Sequence, residues 1–173
     1  EVAFHAINPR KKEVIFEDGE SPLELGHESW DPDRTGEGLF FDCPLERVCL
    51  GRSLTYSAKQ SFGYSPFANK ETFTSIVISD SVKSIGPYLF YGCKNLTNIV
   101  IPESVTDIGY CCFDGYEGEL IINCNVPSHT FYHCKITKVT FGKNVTSIGD
   151  EAFEGCEKLT SITFPKGVRH IGK

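Results

Sequence analysis

The chain has 173 residues, a formal charge of −6, 40% hydrophobic and 12% aromatic residues. That length suits one domain, the acidic balance argues against a nucleic-acid backbone as partner, and no run of about 18 or more apolar residues is present to span a membrane. Glu1 opens straight into Val2-Ala3-Phe4 and the chain stops at Ile171-Gly172-Lys173, both in mid-pattern and without a signal peptide or polar caps, so we expect a fragment of something longer.

The pattern is a repeat. Phenylalanine marks its phase at Phe4, Phe40, Phe67, Phe90, Phe113, Phe131 and Phe153, and the regular interval is 23 residues. Each marker is followed by a short β-branched run. In chain order these are Val14-Ile15-Phe16, Val48-Cys49-Leu50, Ile76-Val77-Ile78, Ile99-Val100-Ile101, Leu120-Ile121-Ile122, Val139-Thr140-Phe141 and Ile162-Thr163-Phe164. Period-2 alternation closed by Pro102, Gly142 or Pro165 predicts strands ended by turns. A lone strand of this kind cannot bury its inner face, whereas seven stacked in a parallel ladder can. The pieces around Tyr88 to Tyr91 and Glu151 to Glu154 are expected to form single helical turns on the opposite side.

The frames are unequal. Residues 73–173 are regular, whereas 1–72 are degenerate, with turn-rich insertions at about Glu17 to Leu39 and about Arg52 to Tyr64. Insertions in a repeat array become loops on one face. The frame from Phe113 to Phe131 is short, and Val126-Pro127-Ser128-His129-Thr130 has lost the Ile-Gly element found at Ile85-Gly86, Ile108-Gly109 and Ile148-Gly149.

Eight cysteines suggest a disulfide framework until their phase is noticed. Cys43, Cys93, Cys134 and Cys156 each follow a marker phenylalanine by three residues, so one packing environment selects them. We expect a column of buried, reduced thiols acting as small hydrophobes. In Cys111-Cys112, alignment with Glu151-Ala152 puts Cys112 in the small buried slot and points Cys111 outward. Adjacent cysteines bridge only through a strained turn, so packing is the expected role.

Two other groups have the composition of metal sites. Cys124, His129, His133 and Cys134 are zinc-type ligands, but Cys134 belongs to the thiol column and the two histidines flank Phe131 on different sides. Asp31, Asp33, Thr35, Gly36 and Asp42 fall loosely on a calcium-loop pattern, with Thr35 and Asp42 departing from it and no flanking helix. Neither is expected to hold a metal, and no cofactor is expected. Serine, histidine and aspartate occur without a nucleophile elbow or a spaced carboxylate pair, so no enzyme is expected.

The segment Leu96-x-x-Ile99-x-Ile101-Pro102-x-Ser104-Val105-x-x-Ile108-Gly109-x-x-x-Phe113 resembles the BspA-like, Treponema-type leucine-rich repeats, as does Leu159-x-x-Ile162-x-Phe164-Pro165-x-x-Val168-x-x-Ile171-Gly172. The likeness runs from Phe67 onward and lacks the asparagine column of the common leucine-rich repeat. It implies a repeat solenoid of about seven leucine-rich repeats with a parallel β-sheet of short strands, forming a single domain over 1–173. It also implies a non-enzymatic adhesion module at a bacterial surface or secreted from it, binding host matrix or surface proteins. The alternatives are a structural spacer and a non-catalytic targeting arm of a larger protein.

Side chains alternate along a strand. With Ile99 and Ile101 inward, the outward column is Ile15, Cys49, Val77, Val100, Ile121, Thr140 and Thr163, flanked by Asn98, Lys138 and Ser161. An exposed apolar stripe of this kind marks contact with a partner. The expected protein-binding face is therefore Val77, Asn98, Val100, Ile121, Lys138, Thr140, Ser161 and Thr163, with the loops around Trp30 and Tyr64 next.

Overall fold

The inward residues of each β-branched run set the fold, because each buries its side chain only by lying against the next. The computed structural model describes residues 12–25, 40, 43–56 and 65–173. Its strands are β1 (Glu13–Phe16), β2 (Leu23–Glu24), β3 (Arg47–Leu50), β4 (Leu54–Thr55), β5 (Ser75–Ile78), β6 (Ser84–Ile85), β7 (Asn98–Ile101), β8 (Asp107–Ile108), β9 (Glu119–Ile122), β10 (Lys138–Phe141), β11 (Ser147–Ile148) and β12 (His170–Ile171). All pairings among them are parallel.

The four-residue strands form two three-stranded sheets, β1-β3-β5 and β7-β9-β10, with β5 and β7 side by side. Register is uniform: Ile15 faces Cys49 and Cys49 faces Val77, while Val100 faces Ile121 and Ile121 faces Thr140. Six of the seven expected runs are therefore strands. The seventh, Ile162-Thr163-Phe164, keeps the alternation of half-buried and exposed residues but is not hydrogen-bonded into the sheet. Its Phe164 stacks on Phe141 at 5.6 Å.

The two-residue strands form a second set of pairs, β2-β4, β6-β8 and β11-β12. Here the backbone of one frame lies against that of the next. A Cβ on Gly109 would come within 2.3 Å of the Pro87 nitrogen, and one on Gly149 within 2.4 Å of the Ser128 nitrogen, which is why glycine follows the isoleucine. The frame that lost the Ile-Gly element keeps its place through Val126, which bridges Ile148 and donates its N–H to Ser147 O.

Between the two sets lies the core. Phe40, Phe67, Phe90, Phe113, Phe131 and Phe153 form one stack with ring centroids 5.0–5.8 Å apart. The first five are buried, and Phe153 is half-buried, stacked on Phe131 and edge-on to Phe141 at 6.1 Å. Burying such a ring contributes about 1.5–3 kcal/mol.

No described residue is in a helix. The expected helical turns are single hydrogen-bonded turns, with Tyr91 N–H donating to Tyr88 O and Glu154 N–H to Glu151 O. What stops them propagating is a left-handed residue on each side of the phenylalanine. Two positions before it stand Tyr88, Cys111, His129 and Glu151; two after it stand Asn69, Gly92, Gly115, His133 and Gly155, all with φ between 51° and 81°.

Candidate protein-binding face

Strand alternation puts the third residue of each four-residue strand outward, and pairing lines these residues up. Ile15, Val77, Val100 and Ile121 are 62, 43, 46 and 40% exposed, large values for apolar side chains. Thr140 is exposed and Cys49 half-buried, so the stripe runs over both sheets. Asn98 and Lys138 are exposed at the first positions of β7 and β10, with Glu119 between them pairing to Lys138 at 3.3 Å. Ser161 and Thr163 are exposed as well, but they lie on the unpaired run beyond β10 rather than in the register of the sheet. Glu13 and Arg47 pair at 3.1 Å at the other end of the same edge.

The stripe also walls two shallow clefts at the carboxyl ends of the strands. One, of about 350 Å³, lies between Val100, Ile78, Pro102, Asp80 and Asn123. The other, of about 380 Å³, lies between Ile15, Cys49, Val77 and Asp18. Glu103, at the rim of the first, accepts both of its hydrogen bonds from the Asn144 amide at 2.9 Å. The arrangement offers apolar contact in the middle and hydrogen-bonding groups around it.

The thiols are placed for packing and for one further task. All eight cysteines are free. Cys93, Cys134 and Cys156 donate their S–H groups to the carbonyls of Phe67, Phe113 and Phe131 at 3.1, 2.9 and 3.1 Å, so each thiol ties its frame to the one before. Where cysteine is absent from this phase, a longer donor does the same work. Lys70 Nζ reaches Cys43 O at 2.9 Å, and the Tyr116 hydroxyl reaches Thr97 O at 2.8 Å and also bonds Glu119 O. Burial pushes Cys93 up to about 12 and Cys156 to about 11, and raises Cys134 as well, the reverse of what a nucleophilic thiol needs.

The zinc-type group is not assembled. Cys124 and Cys134 are buried in the core, while His129 is half-buried and His133 exposed on the turn; no three metal-type ligands converge among the described residues. Asp31, Asp33, Thr35, Gly36 and Asp42, and the loops at Trp30 and Tyr64, lie outside the described residues. Cys112 is fully buried as expected, but Cys111 is only 4% exposed rather than pointing outward. Its left-handed backbone turns it in beside the Tyr110 hydroxyl.

Residues 60–125 and 124–173 match the BspA type leucine rich repeat region, in six copies. The chain belongs to that family. Among solved structures, this BspA-type chain is similar to a leucine-rich repeat protein from Bacteroides ovatus ATCC 8483, with 26% identity and a TM-score of 0.53 over 76% of this chain. The similarity covers 46% of that protein, so the chain spans about half its length. No curated protein matches.

Sequence reasoning missed the residues on the turn side: Tyr88, Tyr91, Tyr110 and Tyr132, with Asp114 beside them. Their signal was a tyrosine near the phenylalanine in three frames, but tyrosine at a turn has no periodic partner to mark it.

Proposed function

We propose that the strand face is a protein-binding surface of a bacterial cell-surface or secreted adhesion protein, non-enzymatic, with host matrix or surface proteins as ligands. BspA-type repeats are typical of bacterial surface proteins and serve in protein interaction. The observation that carries the reading is the outward stripe from Ile15 to Thr140, mostly exposed β-branched side chains and in register within each of the two sheets. An apolar centre with a polar rim of Asn98, Lys138 and Ser161 is the composition of interface cores and rims. Val77, Val100 and Ile121 form the centre, and Thr140 and Thr163 extend it.

The test is capture of host and bacterial surface proteins by the purified chain, followed by affinity measurement with any protein captured. Replacing both Val100 and Ile121 with lysine puts two unpaired charges into the centre of the contact. Affinity is expected to fall by about tenfold or more, with unfolding unchanged. A double variant that folds and binds with full affinity moves the ligand off this face.

A further inference from the structure

The side of the stack opposite the strands carries a surface of a different kind. Tyr88 packs edge-on against Tyr110 at 5.8 Å and against Tyr91 at 6.0 Å. One frame on, Tyr132 meets the His133 ring at 4.2 Å. Tyr110 stands between the two groups and is 48% exposed. Asp114 sits close enough to Tyr88 and Tyr91 for its charge to raise both phenols, after burial, which is the larger cause. Burial also raises the Asp114 carboxyl, countered first by His133, and among the described residues no lysine or arginine forms an ion pair with it.

Two physical arguments give this edge a preferred ligand. A phenol ring presents a negative face, and a partly desolvated carboxylate among such rings adds a full charge, so the site attracts cations and repels anions. Guanidinium fits better than ammonium, since it stacks flat on rings while hydrogen-bonding a carboxylate. At this edge His133 holds a left-handed conformation, φ 54°, at a position where glycine would be relaxed. In the frames of Phe90, Phe113 and Phe153 the position two after the ring is indeed glycine.

We propose that the turn edge at Tyr110, Tyr132 and Asp114 binds arginine side chains of an extended basic peptide segment of a partner protein. Among the described residues Tyr110 is exposed and Tyr132 and Asp114 are half-buried, and the row spans two frames, which suits a chain that lays successive side chains along it. This surface is independent of the strand face, so either can fail without the other.

The test titrates hexa-arginine, hexa-lysine and a neutral oligosaccharide into the intact chain at physiological salt. Hexa-arginine should bind more tightly than hexa-lysine. Tyr110→Ala and Tyr132→Ala should each weaken it about two- to fivefold, while Tyr110→Phe, which keeps the ring, should not. Asp114→Asn should weaken it more than Asp80→Asn, which removes an exposed charge from the strand side. If Asp114→Asn does not fold, the Tyr110→Ala and Tyr110→Phe pair decides alone. Equal effects of Asp80→Asn and Asp114→Asn would reduce the binding to diffuse charge and overturn the proposal. So would full binding by Tyr110→Ala, or an oligosaccharide that binds through Tyr110 when the peptide does not.

Discussion

The strand side and the turn side of this molecule hold the same frames together by different means. On the strand side, main-chain ladders do the joining within each sheet, β5 and β7 lying side by side without one, and side chains are left to alternate, one row in and one row out. On the turn side, Tyr88, Phe90 and Gly92 donate their N–H groups to Tyr110, Cys112 and Asp114, and His129, Phe131 and His133 do the same to Asp150, Ala152 and Glu154. Between the Phe113 and Phe131 frames no such trio is formed among the described residues. There the Cys134 thiol and the Lys135 N–H, donating to Tyr116 O, carry the joint. A period set by strands thus tolerates a short frame, because side-chain donors can stand in for a missing turn bond. The lesson is that the strand side fixes the repeat and the turn side absorbs its irregularities.

The largest test of that division is the ring stack both sides share. Phe113→Ala should cost about 3–5 kcal/mol by urea unfolding, since its ring is buried between Phe90 and Phe131. Phe153→Ala, at a half-buried ring, should cost clearly less. Equal costs would mean that depth of burial in the ring column does not set the cost of losing a ring.

Alkali should act first through the buried thiols. The buried thiols of Cys93, Cys112 and Cys134 lie well above the ordinary value of 9.0, with desolvation the main cause. The unfolded chain loses these protons near pH 9, while the native chain keeps Cys93 protonated to about 12. Their stabilisation is therefore complete below about pH 9 and falls as pH rises towards 12. Urea midpoints measured across that range should drop without any loss of midpoint between neutrality and the start of the window.

Tyr116→Phe removes the donor that reaches Thr97 O and Glu119 O, and should cost about 1–3 kcal/mol for carbonyls left without it. If the variant is as stable as the parent, the side-chain donors of this column are ornament to the packing. The smallest effect should be a gain. His133→Gly relieves a left-handed backbone and should stabilise the chain by up to about 1 kcal/mol in thermal unfolding, whereas the same change at exposed Lys138 in β10 should destabilise it.

How far each side could be read beforehand follows from the same contrast. Every four-residue strand begins one residue before the run that marked it, at Glu13, Arg47, Ser75, Asn98, Glu119 and Lys138, because apolar alternation reports burial and hydrogen-bonding extends past it. The outward stripe followed directly from that alternation. Isoleucine followed by glycine was visible as a repeating element, yet nothing in two residues announced that they pair across frames. The left-handed positions were illegible for a plainer reason. Tyr88, Cys111, His129 and Glu151 share a backbone conformation but no chemistry, so no residue type reports it. Cys111 is misplaced on that account, and nothing in the sequence marks Lys70 and Tyr116, at the cysteine phase of their frames, as donors that fill the same role.

The donor that reaches backward from each frame has a consequence for how such a chain can change over generations. Phe67, Phe113 and Phe131 offer the same carbonyl to the same kind of thiol one frame on. Joints built from like parts are exchangeable. A duplication or excision of one whole 23-residue unit, cut at any equivalent point, presents each surviving donor with an acceptor of the kind it already had. Recombination between units can therefore alter the length of the array, and with it the reach of both of its faces, without passing through an unfolded ancestor.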